Sequence, residues 1–250
     1  DPARVKAHWL GVDQEELDRA RETVGTNQVD GRVIYASSYD RGLGFLLEQW
    51  PRVREAVPNA ELHVAYGFDF WKRSEAVVPA PVAEGMRQER ARLEKLLTQP
   101  GVTHLGRLPR EAFLKEFAAA EVWAYPCTGG ELCCKTALEA QLLGAYPVVV
   151  PTMALAETVQ IGSKVPSGQF TNELIRVLRE HPALAGRFDM PGWNDLAAWI
   201  WDAVGPVLAA YQEAGSQQAR EPIPPALMVG DGPEPPLPDP LPEPPEPPEP

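Results

Sequence analysis

Glu131 and Glu139 stand eight residues apart across a helix start and are the residues best placed to do chemistry. They lie in the stretch Tyr125–Pro151, where a short apolar strand (Val122–Tyr125) runs into a turn carrying Gly129 and Gly130. A helix comes next, Gly144 stops it, and a buried strand (Tyr146–Val150) closes the unit. Eight residues of helix rise by about 12 Å. Carboxylates that hydrolyse a glycosidic bond as a pair approach to about 5–9.5 Å, so these two are not an acid/base couple. They suit the two ends of a long ligand, each accepting hydroxyl protons from a sugar ring. On spacing alone, Glu131 also fits a helix-dipole partner and Glu139 a solvated helix residue.

Arg41 and Gly42 precede a second helix, in Ser37-Ser38-Tyr39-Asp40-Arg41-Gly42-Leu43, and its first amides can receive an anion. The Arg fork donates two hydrogen bonds to phosphate at once. Gly129 and Gly130 allow close backbone approach, and the amides of Leu132, Cys133 and their neighbours to Thr136 open the other helix. Two helix N-termini and an arginine suggest a diphosphate, each charge-assisted bond contributing about 1.5–3 kcal/mol. No Asp-x-Asp pair is present to hold a metal on it, so no metal or other cofactor is expected and protein donors must meet the charge. The plainer readings are Arg41 as a surface turn residue, Ser37 and Ser38 as turn hydroxyls, Trp123 and Tyr125 as strand core, and the three cysteines as buried fillers.

Positioning these groups requires strands that alternate with helices. Strands are expected at 32–36, 61–66, 102–105, 122–125 and 146–150, the first two starting at the spacing of a βαβ unit. Leu43, Leu46, Leu47, Trp50, Val53 and Val57 recur at helical spacing, with Pro51 expected to kink or break that helix. Further helices are expected at 14–23, 82–97, 109–119, 170–178 and 196–211, with an irregular aromatic loop at 68–81. The fold class is therefore α/β, a Rossmann-like doubly wound parallel sheet. Ligands bind outside the carboxyl ends of such strands, where Arg41, Gly106-Arg107-Leu108 and the Glu131 turn all fall.

Residues 31–215 form the expected domain, residues 1–30 read as a connector, and 216–250 as a Pro/Glu-rich disordered tail. From Glu221 onward the chain holds 14 of its 28 prolines, no Lys or Arg, and −7 of the net charge of −12. The acidic body argues against nucleic acid as a partner, and no apolar run is long enough for a transmembrane segment. His8, His63, His104 and His181 are scattered without metal-ligand spacing. Three cysteines crowded at 127, 133 and 134 do not form a secreted disulfide framework, so a cytoplasmic setting is expected. The chain opens at Asp1 on an amphipathic piece, which reads as a fragment of a longer protein.

The segment from Gly129-Gly130-Glu131 through Leu138-Glu139-Ala140, then Gly144 and Pro-Val-Val-Val, resembles the Glu-x7-Glu region of retaining GT-B glycosyltransferases. Arg41-Gly42-Leu43 with Leu46-Leu47-Glu48 is similar to that family's Lys-Gly…Leu-Leu-Glu segment, with Arg for the usual Lys. Gly106-Arg107-Leu108 resembles its base-binding turn, and Glu157-Thr158-Val159 its closing Glu-Thr-Val. The match covers residues 10–205, and four motifs in order are more specific than any one alone.

The resemblance implies the C-terminal, donor-binding domain of a hexosyltransferase-type enzyme, moving sugar from a nucleotide sugar with retention and without metal. Arg41 would hold the diphosphate with amides of the 132–136 turn, Glu139 the ribose and Glu131 the donor sugar, and Gly106, Arg107 and Leu108 would border the base. Leu132-Cys133-Cys134 departs from the family's usual residues after the first Glu, so the sugar pocket is expected to differ. The acceptor, a glycan, lipid or protein, stays open. Without the N-terminal domain of the family, this half is expected to bind donor but not to transfer. The alternative from another class is a non-catalytic nucleotide or nucleotide-sugar binding module in a larger assembly.

Overall fold

The computed structural model describes residues 11–25, 28–182, 197, 198, 200–202 and 204–206. The opening piece at 1–10 and the tail at 216–250 lie outside the described residues, as does part of the helix expected at 196–211. Residues 197, 198, 200–202 and 204–206 are helical. Contacts separate one unit, Asp1–Trp199, from a second, Ile200–Pro250. The sheet belongs to the first.

That sheet has six strands: β1 (Val29–Ala36), β2 (Glu61–Ala65), β3 (Val102–Gly106), β4 (Ala120–Tyr125), β5 (Tyr146–Val149) and β6 (Ser163–Lys164). All pairings are parallel, in the order β3-β2-β1-β4-β5-β6. The chain moves outward from β1 to β3, then returns to lay β4 on the other side of β1. Loops leaving β1 and β4 therefore diverge and open a crevice between them, the switch point of a doubly wound sheet. Helices α1 (Gln14–Val24), α5 (Arg110–Ala119) and α6 (Lys135–Leu143) pack on one another. Helices α2 (Leu43–Ala56), α4 (Ala80–Leu96) and α8 (Ser167–Glu180) form a second group. Two such groups suit strands buried on both faces: Val33, Ile34, Tyr35, Val122, Trp123 and Tyr125 are all fully buried.

Helix α2 buries Leu43, Leu46, Leu47, Trp50 and Val53 as their spacing requires, each such side chain contributing about 1.5–3 kcal/mol. The break expected at Pro51 does not occur, and α2 runs through it. Proline has no N–H for the carbonyl of Leu47. The Gln99 side-chain amide donates to that carbonyl at 2.9 Å instead, and to Leu96 O at 2.8 Å. The loop expected at 68–81 contains a short helix, α3 (Asp69–Glu75), which buries none of its residues and so carries no apolar periodicity to read. Two brief elements, α7 (Leu155–Thr158) and β6, also escape the pattern because neither is long enough to repeat its period. Pro109, expected inside the first helical turn, is instead the N-cap of α5, its extended ψ of 151 preceding the helix.

Candidate functional site

Two helix starts face the crevice. Helix α2 begins after Gly42, which has φ 92 and comes so close to β4's exit loop that a Cβ would lie 2.6 Å from the Pro126 carbonyl oxygen. Only glycine fits there, and that contact brings Arg41 up to the turn after β4. Helix α6 begins later than the sequence suggests. Cys134, extended at φ −89 and ψ 91, is its N-cap, so Leu132 and Cys133 stay in the turn. The backbone gives the reason: Ala154 N–H donates to Glu131 O at 3.0 Å, tying the turn to the loop after β5 before the helix can form. The first-turn amides of α6 are those of Lys135 and Thr136, rather than the run from Leu132 onward.

Arg41 and Glu131, ninety residues apart in sequence, form an ion pair at 2.6 Å. Arg41 Nη1 makes this bond and also donates to Gly130 O at 3.3 Å, while its Nη2 and Nε donate to none of the described residues. The Tyr125 hydroxyl donates to the same Glu131 Oε2 at 2.9 Å and lies 3.2 Å from Ser37 Oγ. Burial raises the Tyr125 phenol well above its ordinary value, so it stays a proton donor. Burial also works against the charge of Arg41, but the Glu131 carboxylate outweighs it and the guanidinium is held more firmly protonated than usual. Both bonds to Glu131 fall on one oxygen. Its Oε1 receives none from the described residues and remains open to a ligand hydroxyl.

Deeper in the cleft, Glu139 is 2% exposed. Arg110 Nη2 lies 2.7 Å from its Oε1 and Lys135 Nζ 3.4 Å away. Among the described residues neither contact has hydrogen-bond geometry, so Oε1 has two ion-pair partners but accepts no hydrogen bond. Arg110 Nε donates in the other direction, to Glu16 Oε2 on α1 at 3.0 Å. Burial opposes the charge on Arg110, while Glu139 and Glu16 together raise its pKa.

The cleft holds about 620 Å³, on the scale of small-molecule sites. Of the residues singled out from sequence, Arg41, Arg107, Leu108, Glu131, Cys133, Thr136 and Glu139 line it. Gly106, Gly129, Gly130 and Leu132 do not. Gly106 ends β3 and accepts the Tyr66 N–H at 2.8 Å, Gly130 offers its carbonyl to Arg41, and Leu132 is 84% exposed with its side chain turned outward. Gly129 lies in the turn with its carbonyl toward Cys127.

Arg110, Lys135, Tyr66, Phe70 and Phe113 line the cleft without having been singled out. The Lys135–Glu139 spacing of one helical turn was a legible signal. Arg110 was not, because its partners come from α1 and α6. Cys127 and Cys134 are buried and Cys133 half-buried, all three as free thiols. Burial pushes the Cys134 thiol up to about 12, which makes it filler rather than nucleophile.

No protein-family model and no curated protein matches the sequence. Solved structures do match in fold, among them GT-B glycosyltransferases. Sucrose-phosphate synthase from Thermosynechococcus elongatus has a TM-score of 0.52 at 18% identity over 83% of this chain and 52% of its own. Anabaena HepE in complex with UDP-glucose gives 0.51 at 15%, over 86% and 57%. A trehalose-6-phosphate synthase, solved in work on glycosyltransfer with retention, gives 0.51 at 12%, over 86% and 51%. The chain thus spans about half the length of the solved proteins it matches.

Proposed function

We propose that this chain, whose fold is that of one half of a GT-B glycosyltransferase, is the C-terminal, donor-binding half of a retaining enzyme that uses a nucleotide sugar. The observation that carries this reading is the meeting of Arg41 and Glu131 at the switch point, with the buried Glu139 carboxylate in the same cleft. The free edge of Arg41, Nη2 and Nε, suits two oxygens of a diphosphate as a fork. The first-turn amides of α2 and α6 add partial positive charge beside it. Glu139 would accept the ribose hydroxyls, and Glu131 Oε1 a hydroxyl of the donor sugar. Arg107 and Leu108 would border the base, with Tyr66 and Phe70 beside them.

In the transfer, the bond from the anomeric carbon to the diphosphate oxygen breaks, and a bond from the acceptor oxygen forms on the same face of the ring, the acceptor's proton passing to the departing diphosphate. The leaving diphosphate gains negative charge as it departs. Arg41 and the helix amides are fixed in place to receive it, and removing one such donor typically costs about 10²–10³ in rate. The solved relatives reach about twice this length, and the proposed partner domain would bring the acceptor. No metal is assigned a role in this reading.

Isothermal titration calorimetry with a nucleoside diphosphate and with its bare nucleoside tests the assignment. Arg41→Ala is expected to weaken the diphosphate by about tenfold or more while leaving the nucleoside nearly unchanged. Equal losses for both ligands would remove Arg41 from the phosphate site.

A further inference from the structure

Glu139 is ionic in its surroundings, but among the described residues its Oε1 accepts no hydrogen bond. It is 2% exposed and has a guanidinium nitrogen 2.7 Å and an ammonium 3.4 Å from Oε1, yet that oxygen accepts nothing. A buried carboxylate held this way is balanced in charge without a hydrogen bond on that oxygen, and its residue lines the cleft. The guanidinium is kept from turning fully onto it because its Nε is already spent on Glu16 Oε2 at 3.0 Å. One arginine is thus divided between two carboxylates from different helices, Glu16 on α1 and Glu139 on α6.

We propose that Arg110 and Glu16 are positioning residues that hold the Glu139 carboxylate in place but uncommitted, so that vicinal hydroxyls of the ligand take its lone pairs. This rests on the nucleotide-sugar reading above and adds α1 to the donor site. Without Glu16, Arg110 is released to form a direct forked bond with Glu139, and the ligand hydroxyls must then compete with a cation. The consequence is specific. Loss of Glu16, whose own side chain lies outside the cleft lining, lowers discrimination between ribose and 2′-deoxyribose rather than affinity in general.

The probes are the 5′-diphosphates of uridine, guanosine and adenosine, and the 2′-deoxy form of whichever binds best, titrated by calorimetry into the whole chain. The wild type is expected to favour the ribose form by about tenfold, the equivalent of one charge-assisted hydrogen bond. Glu16→Gln keeps the size of the side chain and is expected to cut that preference to about twofold, with binding of the deoxy form and the melting temperature little changed. Adding Glu16→Gln to Arg110→Gln is expected to change nothing further, since Glu16 acts on Glu139 only through Arg110. A full preference retained in Glu16→Gln overturns the proposal, as does an equal loss for both sugars, which is what a merely structural role produces. A wild type that binds the diphosphate without preferring ribose also overturns it, while leaving the Arg41 assignment standing. If no diphosphate binds at all, the nucleotide-sugar reading fails and this proposal fails with it.

Discussion

At Glu131, two donors from different elements meet on one oxygen. Arg41 arrives from the loop after β1 and Tyr125 from the end of β4, at 2.6 and 2.9 Å. The pair fixes the carboxylate's rotation and leaves its second oxygen facing the cleft. Tyr125 had a simpler reading as strand core, and its ring is indeed fully buried, stacked on Trp123 with centroids 5.1 Å apart. Only the hydroxyl acts on the site. Tyr125→Phe keeps that packing and removes the hydroxyl, so the cost in stability is expected to be about 1 kcal/mol. In the proposed function, the same change weakens a nucleotide sugar more than the matching nucleoside diphosphate. Thermal denaturation and parallel titrations of the two ligands measure both effects, and equal weakening would detach Glu131 from the sugar.

Helix α6 depends on a single buried side chain to stay in register with α7 and the loop leaving it. Gln141 is 5% exposed and donates to Ala137 O and Thr158 O, both at 2.8 Å. Its Oε1 accepts the N–H groups of Gln160 and Ile161 at 2.8 and 2.9 Å. The amide thereby satisfies backbone groups at the end of α7 that no ladder reaches, and locks α7 against the helix that carries Glu139. Gln141→Leu fills the same space but leaves those backbone groups unpaired, at an expected cost of about 2–3 kcal/mol in urea denaturation. A loss below about 0.5 kcal/mol would mean that the backbone finds other partners. Gln99, beneath Pro51 of α2, supplies a missing donor in the same way. In both cases a polar side chain completes a helix that its own backbone cannot.

For the whole chain, composition and fold agree on where the stabilising core lies. The buried residues of the sheet and its helices run from Val12 to Leu178, whereas residues 221–250 hold 14 prolines and no aromatic residue. Removing 221–250 is therefore expected to leave the melting temperature nearly unchanged in a thermal scan. A drop of several degrees would show that the segment contributes to folding. No helix among the described residues is long and apolar enough to cross a membrane. At the opposite end of the strands from the cleft, Asp30, Glu121 and His181 bring ligand atoms within 4.8 Å of one another. Glu121 is already engaged there, by the Gly31 N–H and by His181 Nδ1, both at 2.6 Å. That cluster is accounted for as a tie between β1, β4 and the end of α8.

Periodicity and punctuation in the sequence determined five of the strands, the buried face of α2 and the stop at Gly144, because each is a local repeat or a local backbone requirement. The positions of Arg41 and Glu131 at a strand exit and before a helix start were legible for the same reason, and Glu139 follows one turn inside that helix. What each carboxylate touches was decided only by tertiary structure. Glu131 meets Arg41 because β1 and β4 are neighbours in the sheet despite their separation in the chain. Glu139 is balanced by Arg110 because α5 and α6 pack together, and Arg110 is shared with Glu16 because α1 lies across both. No spacing rule encodes such contacts. They arise from the reversal of strand order at the switch point, which is a property of the folded sheet.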